Sequence, residues 1–146
     1  MGLPRFFPPY SATGLLWEES YITEDVTLTT GGDIYDIASI LLPSGIWCIE
    51  AQVAFLLAEV AEMEAWIGPT SAAVTDAYTG VACAGLPPSL ALSFAMSQLV
   101  GLSAPFTTVY LIGSCTVDAA VAKAATSVNA IPNATGISAV RVAAIG

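Results

Sequence analysis

Histidine is absent from this 146-residue chain, and only Arg5, Lys123 and Arg141 carry positive charge. Without an imidazole, the Ser-His-Asp and Cys-His nucleophile arrangements lack their base, and a zinc site loses its usual nitrogen ligand. Three scattered cations do not make the clustered Lys/Arg surface that phosphate binding requires. Twelve acidic residues bring the net charge to −9, which repels nucleic acid and anionic membrane surfaces. Cysteine is scarce as well. Cys48, Cys83 and Cys115 are odd in number and lack CxxC spacing, so they suggest neither a disulfide framework nor a thiolate metal cage. Cys48 and Cys115 fall in strand-like segments, where a free thiol behaves as a small buried hydrophobe. There is no GxxxxGK phosphate loop, and Gly31-Gly32 reads as a turn pair. The expectation is a protein that is not an enzyme and uses neither cofactor nor metal.

Charge of either sign is rare: 10% of residues, with 55% apolar, against about 25% charged in ordinary soluble domains. A monomer of this composition lacks the polar groups to cover itself. It either sits in a membrane or hides surface against copies of itself and other partners. The stretch from Ala77 to Val117 has no charge, longer than the roughly 20 residues a spanning helix needs. Gly85, Pro87, Pro88, Gly101, Pro105 and Gly113 interrupt it, its apolar residues follow a strand period, and no Lys/Arg cluster flanks it. The expectation is therefore no membrane span. At the N-terminus, Arg5 is followed by Phe6-Phe7-Pro8-Pro9 rather than the apolar run of a secretory leader, which suits a chain made and assembled in a cytoplasm.

Residues 1–22 form a segment apart, aromatic and proline-rich. Proline fixes φ and removes a donor, so an extended arm is expected. Phe6, Phe7, Tyr10 and Trp17 are its anchors, either on a partner's surface or folded back on their own domain.

Strand signals dominate from residue 23 to 146, over roughly seven to nine short segments. Val26–Thr30 is followed by a Gly31-Gly32-Asp33 turn. Ile34–Leu42 reads as one strand closed by Pro43-Ser44-Gly45, and Ile46–Leu57 as the next. Trp47, Ile49, Ala51, Val53 and Phe55 share one face of that strand, while Cys48, Glu50, Gln52 and Ala54 share the other. Both faces are mostly apolar, as in a strand covered by a second sheet and by a neighbouring subunit. Glu62–Ile67 alternates, then a Gly68-Pro69 turn opens a small-residue loop to Gly85. Leu90, Leu92, Phe94 and Met96 line one face of Ser89–Gln98, and Phe106–Val117 follows. Asp118–Thr126 reads as a short helix capped by Asp118 or as a loop. Ile137–Ile145 closes the domain. The pattern is all-β, an antiparallel β-sandwich or jelly roll, because a parallel α/β sheet would need intervening helices.

The acidic pairs read as solvated faces. Glu62 and Glu64 share a strand face and match a glycosidase pair or calcium ligands only loosely, since such carboxylates come from separate elements. Asp33 and Asp36 flank a turn. Asn133-Ala134-Thr135 matches the glycosylation pattern. Glu50 and Gln52 stand out, being polar on an otherwise apolar central strand, where buried polar groups need partners. The expected site is an oligomer interface of Glu50, Gln52 and Arg141.

Three runs occur together: Asp25-Val26-Thr27-Leu28-Thr29-Thr30, Tyr35 through Leu42-Pro43-Ser44-Gly45-Ile46-Trp47, and Ala139-Val140-Arg141-Val142. In that order they resemble phage structural proteins with a tumour-necrosis-factor/C1q-like jelly roll, over about residues 23–145. The resemblance implies a face-to-face sandwich, a homotrimer, and a place on a bacteriophage virion. No collagen-like repeat or coiled-coil shaft is present. An arm followed by a single knob therefore suits a capsid decoration (cement) protein on the capsid surface, made in the host bacterium and bound to the major capsid protein. The alternative is a receptor-binding knob of a tail or head fibre, facing a host surface receptor.

Overall fold

The fold was obtained as a computed structural model, which describes residues 16–57, 59–86, 92–125 and 133–144. Among them every regular element is a strand: β1 (Trp17–Tyr21), β2 (Val26–Leu28), β3 (Ile34–Leu56), β4 (Ala61–Gly68), β5 (Thr79–Leu86), β6 (Leu92–Cys115), β7 (Ala120–Ala122) and β8 (Gly136–Ala143). Hydrogen bonding joins them in the order β1-β8-β3-β6-β4-β5, with β7 bridging β2 and β3. All pairings are antiparallel. The expected all-β antiparallel class is the one found.

Two strands are far longer than the sequence suggests. The segments expected on either side of Pro43-Ser44-Gly45 are one strand of 23 residues, and those on either side of Gly101 and Pro105 are one of 24. Proline usually ends a strand because it donates no ladder hydrogen bond, but it is tolerated at a bulge. Here both prolines lie at one kink: Pro43 pairs with Phe106 and Gly45 with Leu102, with a register shift between.

The kink changes which side chains face inward. Ile40 and Leu42 are buried before it, and Trp47, Ile49, Ala51, Val53 and Phe55 after it, a switch from even to odd positions. In β6, Val100 and Leu102 are buried on one side and Val109 and Leu111 on the other, the same switch. An extra residue in a period-two strand flips every following side chain. Each long strand thus contributes to both halves of one core, where Trp47 and Phe55 pack with Met63, Ile67, Leu111 and Ile137.

The buried indole of Trp47 donates Nε1–H to Pro43 O at 2.9 Å within the kink, so its one polar atom is satisfied. Gly45 has φ +150°, and a Cβ there would meet Arg141 Cδ at 2.5 Å and Ala143 O at 3.1 Å.

Tertiary pairing overrides local signals in three other places. Asp118–Thr126 forms neither the helix nor the plain loop expected, because Ala120–Ala122 bridges β2 and the end of β3. The small-residue stretch before Gly85 supplies β5, drawn into extended form by pairing along β4. The sheet also begins at Trp17, inside the segment 1–22 set apart as an extended arm, because β1 pairs with β8 from Trp17↔Val140 to Tyr21↔Gly136.

Side chains pin the connections. Asp25 accepts from Lys123 Nζ at 2.5 Å and from Ala124 N at 2.9 Å, and these hydrogen bonds hold its carboxyl below the ordinary value of 3.8. The Asp36 carboxylate accepts from Ser71 Oγ, and from Ala72 N at 2.8 Å, and so ties the segment after β4 onto the sheet.

Gly45→Ala should destabilise the fold by about 1–3 kcal/mol, through a strained φ and contact with Arg141; urea unfolding measures this. A carboxyl whose folded pKa is depressed stabilises above its unfolded value and loses that contribution as pH falls through the folded one. Asp25→Asn should therefore lower stability at neutral pH, by no more than about 1 kcal/mol for so exposed a pair. The gap to the parent should close below about pH 3.8 in thermal melts across pH.

Candidate interaction face

The strands β1, β8, β3 and β6 lie side by side, so residues on their outward face form rows across the sheet. One row runs Trp17–Val140–Cys48–Leu99 by register. Trp17 is 52% exposed, Leu99 60% and Val142, next outward on β8, 51%. Cys48 between them is half-buried. Folding leaves this apolar surface uncovered, the kind of patch that marks an interaction site.

The following rows are polar: Glu19–Ser138–Glu50–Ser97, then Tyr21–Gly136–Gln52–Ala95. They frame a groove of about 280 Å³ lined by Tyr21, Glu50, Gln52, Ser97 and Ser138. Tyr21 lies flat on Gly136, where a Cβ would come within 2.3 Å of its ring. Gln52 Nε2 donates to Asn133 O at 2.7 Å, while Thr135, fully buried, accepts Ala54 N–H through Oγ1 at 3.0 Å. The Asn133-Ala134-Thr135 triplet thus braces the central strand.

Glu50 and Gln52 do share one face and are exposed. Arg141 does not join them within a subunit. It is the register partner of Trp47, on the core-facing side of β8 at the rim, with its aliphatic chain against Gly45. Phe6, Phe7 and Tyr10 lie outside the described residues, and Trp17 of the same group belongs to β1. The apolar row itself escaped the sequence reading, because its members come from four separate strands. The signal available was the outward alternation of Val140 and Val142.

Elsewhere the chemistry is sparse. No group of three or more Cys, Asp or Glu among the described residues is placed to hold a metal ion. Cys115 is buried, and desolvation pushes its thiol above the ordinary value, which disfavours the nucleophilic thiolate. No helix among the described residues is long and apolar enough to cross a membrane.

No protein-family model and no curated protein matches the sequence. Solved structures do match in fold. The Eiger tumour necrosis factor of S. frugiperda superposes with a TM-score of 0.61 at 12% identity, over 90% of this chain and 95% of that one. VP2 of infectious bursal disease virus, from a subviral particle, superposes at 0.50 and 10% identity, over 88% of this chain but only 32% of VP2. At such identities the likeness speaks for the fold alone: the chain has a jelly-roll β-sandwich of the tumour-necrosis-factor-like kind, which one viral capsid protein also contains.

Proposed function

We propose that this chain is a non-enzymatic virion structural protein, a bacteriophage capsid decoration protein that binds the major capsid protein as a homotrimer. The row Trp17–Val140–Cys48–Leu99 carries this reading. It is a cross-strand apolar surface on a molecule with only 10% charged residues, and a second copy is the partner of matching chemistry. Burying side chains of this size is worth about 1.5–3 kcal/mol each, so a few per subunit are enough for self-association. The jelly-roll fold that these likenesses show is compatible with such a role, and the trimer and the phage particle follow from the sequence resemblance.

In such an assembly the polar rows beside the apolar one meet their counterparts around the axis. Glu50 then meets another copy beside Gln52, whose amide already donates to Asn133 O, and Arg141 at the rim is the cationic residue expected at that interface. Phe6, Phe7 and Tyr10, which precede β1 in the sequence, are the residues that would engage the capsid or a neighbouring copy. The work is done by buried area repeated over many copies, with no chemical step.

Sedimentation should show a trimer for the parent. Val140→Asp should raise the dissociation midpoint at least tenfold, which is about 1.4 kcal/mol, while the exposed Glu62→Gln on β4 should leave it unchanged. A parent chain that stays monomeric at high concentration would refute the assembly. Glu50→Ala should also shift dissociation, and an unchanged midpoint would remove Glu50 from the interface. Quantitative mass spectrometry of purified particles should find the chain in fixed stoichiometry with the shell. A few copies per particle would instead assign it to a fibre or the tail.

A further inference from the structure

A second groove lies away from the apolar row, on the layer formed by β6, β4 and β5. Its volume is about 380 Å³, at the small end of the roughly 300–1,000 Å³ of ligand sites. Its floor is Gly80 and Ala82 of β5, and Glu64 and Trp66 of β4 stand beside them by register. Val74 and Ala77, in the segment that Asp36 ties down, form the opposite wall.

The construction of the groove is specific. The Cδ1–Nε1 edge of Trp66 lies against Gly80: a Cβ there would fall 2.4 Å from Cδ1 and 2.8 Å from Nε1 of the indole. Any side chain at position 80 would push the ring out of this pose. Trp66 is half-buried rather than covered. Whereas Trp47 Nε1 donates to Pro43 O, Trp66 Nε1 has no acceptor among the described residues. A half-buried indole fixed against Gly80, its N–H without an acceptor among the described residues, thus stands next to the Glu64 carboxylate on the same strand face.

We propose that this groove binds an uncharged hexose ring of a glycan. The C–H groups on one face of a pyranose carry partial positive charge and suit the electron-rich face of an indole. Sugar hydroxyls are both donors and acceptors and can pair with the Glu64 carboxylate and the Trp66 N–H. The groove's size admits one or two rings. Anionic sugars are disfavoured by Glu64, by nearby Glu62 and by the net charge of −9. Because the groove is on the other layer, it stays open when the apolar row is buried. The proposal is independent of the assembly reading and goes beyond it.

The full-length chain is applied to an array of neutral and acidic oligosaccharides, and its strongest neutral hexose ligand is then titrated by calorimetry. Trp66→Ala should weaken binding at least tenfold. Ala82→Arg, at an exposed floor position, should block the groove without removing a core side chain, and should also weaken binding at least tenfold. Gly80→Ala should weaken binding by displacing the indole, and Val60→Ala, exposed in the connection from β3 to β4, should not affect it. Thermal melts establish that each variant is folded, and if Trp66→Ala is not, Ala82→Arg decides. A parent chain that binds no neutral glycan, that prefers acidic ones, or whose binding survives Ala82→Arg overturns the proposal. Sedimentation of the same samples reports on self-association separately.

Discussion

A β-strand shows alternate residues to opposite faces, so a straight strand can feed a core only from one side. The kink at Pro43–Gly45, matched in β6 between Leu102 and Phe106, lifts that restriction. Ile40 and Leu42 before it and Trp47 and Ile49 after it all reach one interior. Without the extra residue, one of these pairs would face solvent. Trp47 depends on the kink directly, since its indole N–H is satisfied by Pro43 O. So does the rim, where Arg141 crosses Gly45. The sandwich is in effect one long antiparallel ladder of β3 and β6 bent at a fixed point, with shorter strands added along both halves.

Bending the β3–β6 ladder in this way gives the molecule two outward faces of different character. On one, apolar side chains from β1, β8, β3 and β6 line up and then give way to polar rows around Glu50 and Gln52. On the other, β4 presents Glu62, Glu64 and Trp66 beside the small floor of β5. The first face suits a copy of the same chain, and the second suits a polar ligand with an apolar flank. The strong acidity of the chain bears on both, by keeping polyanions away and by leaving apolar contact as the main source of association.

The sequence was legible wherever a segment's own alternation matched its surroundings. Trp47 through Phe55 were assigned to one face and are buried there. Met63, Ala65 and Ile67 are likewise buried together. Glu50 and Gln52 were singled out as polar residues on an apolar strand, and they line a groove together. Arg141, grouped with them in the sequence, lies at the rim on the core-facing side of β8, apart from Glu50 within a subunit. The misreadings occurred where a local signal competes with pairing: two prolines read as strand ends, Ala120–Ala122 as helix or loop, and Gly80–Ala82 as loop. In each of these, ladder bonds to a distant strand outweigh the propensity of a few residues.

What the sequence alone determined was the class of molecule. Period-two alternation and turn residues define an antiparallel β-sandwich, and the want of charge and of histidine narrows the chemistry its surface can offer. Those are properties of neighbouring residues and of composition, and they survive without coordinates. The tertiary structure decided which side chains meet. The row Trp17–Val140–Cys48–Leu99 and the Trp66–Gly80 contact each join residues from strands distant in sequence. Their registers are set by long-range hydrogen bonds and by irregularities in the ladders, the kink at Pro43–Gly45 among them, and which residues then stand opposite one another is not encoded by any local pattern.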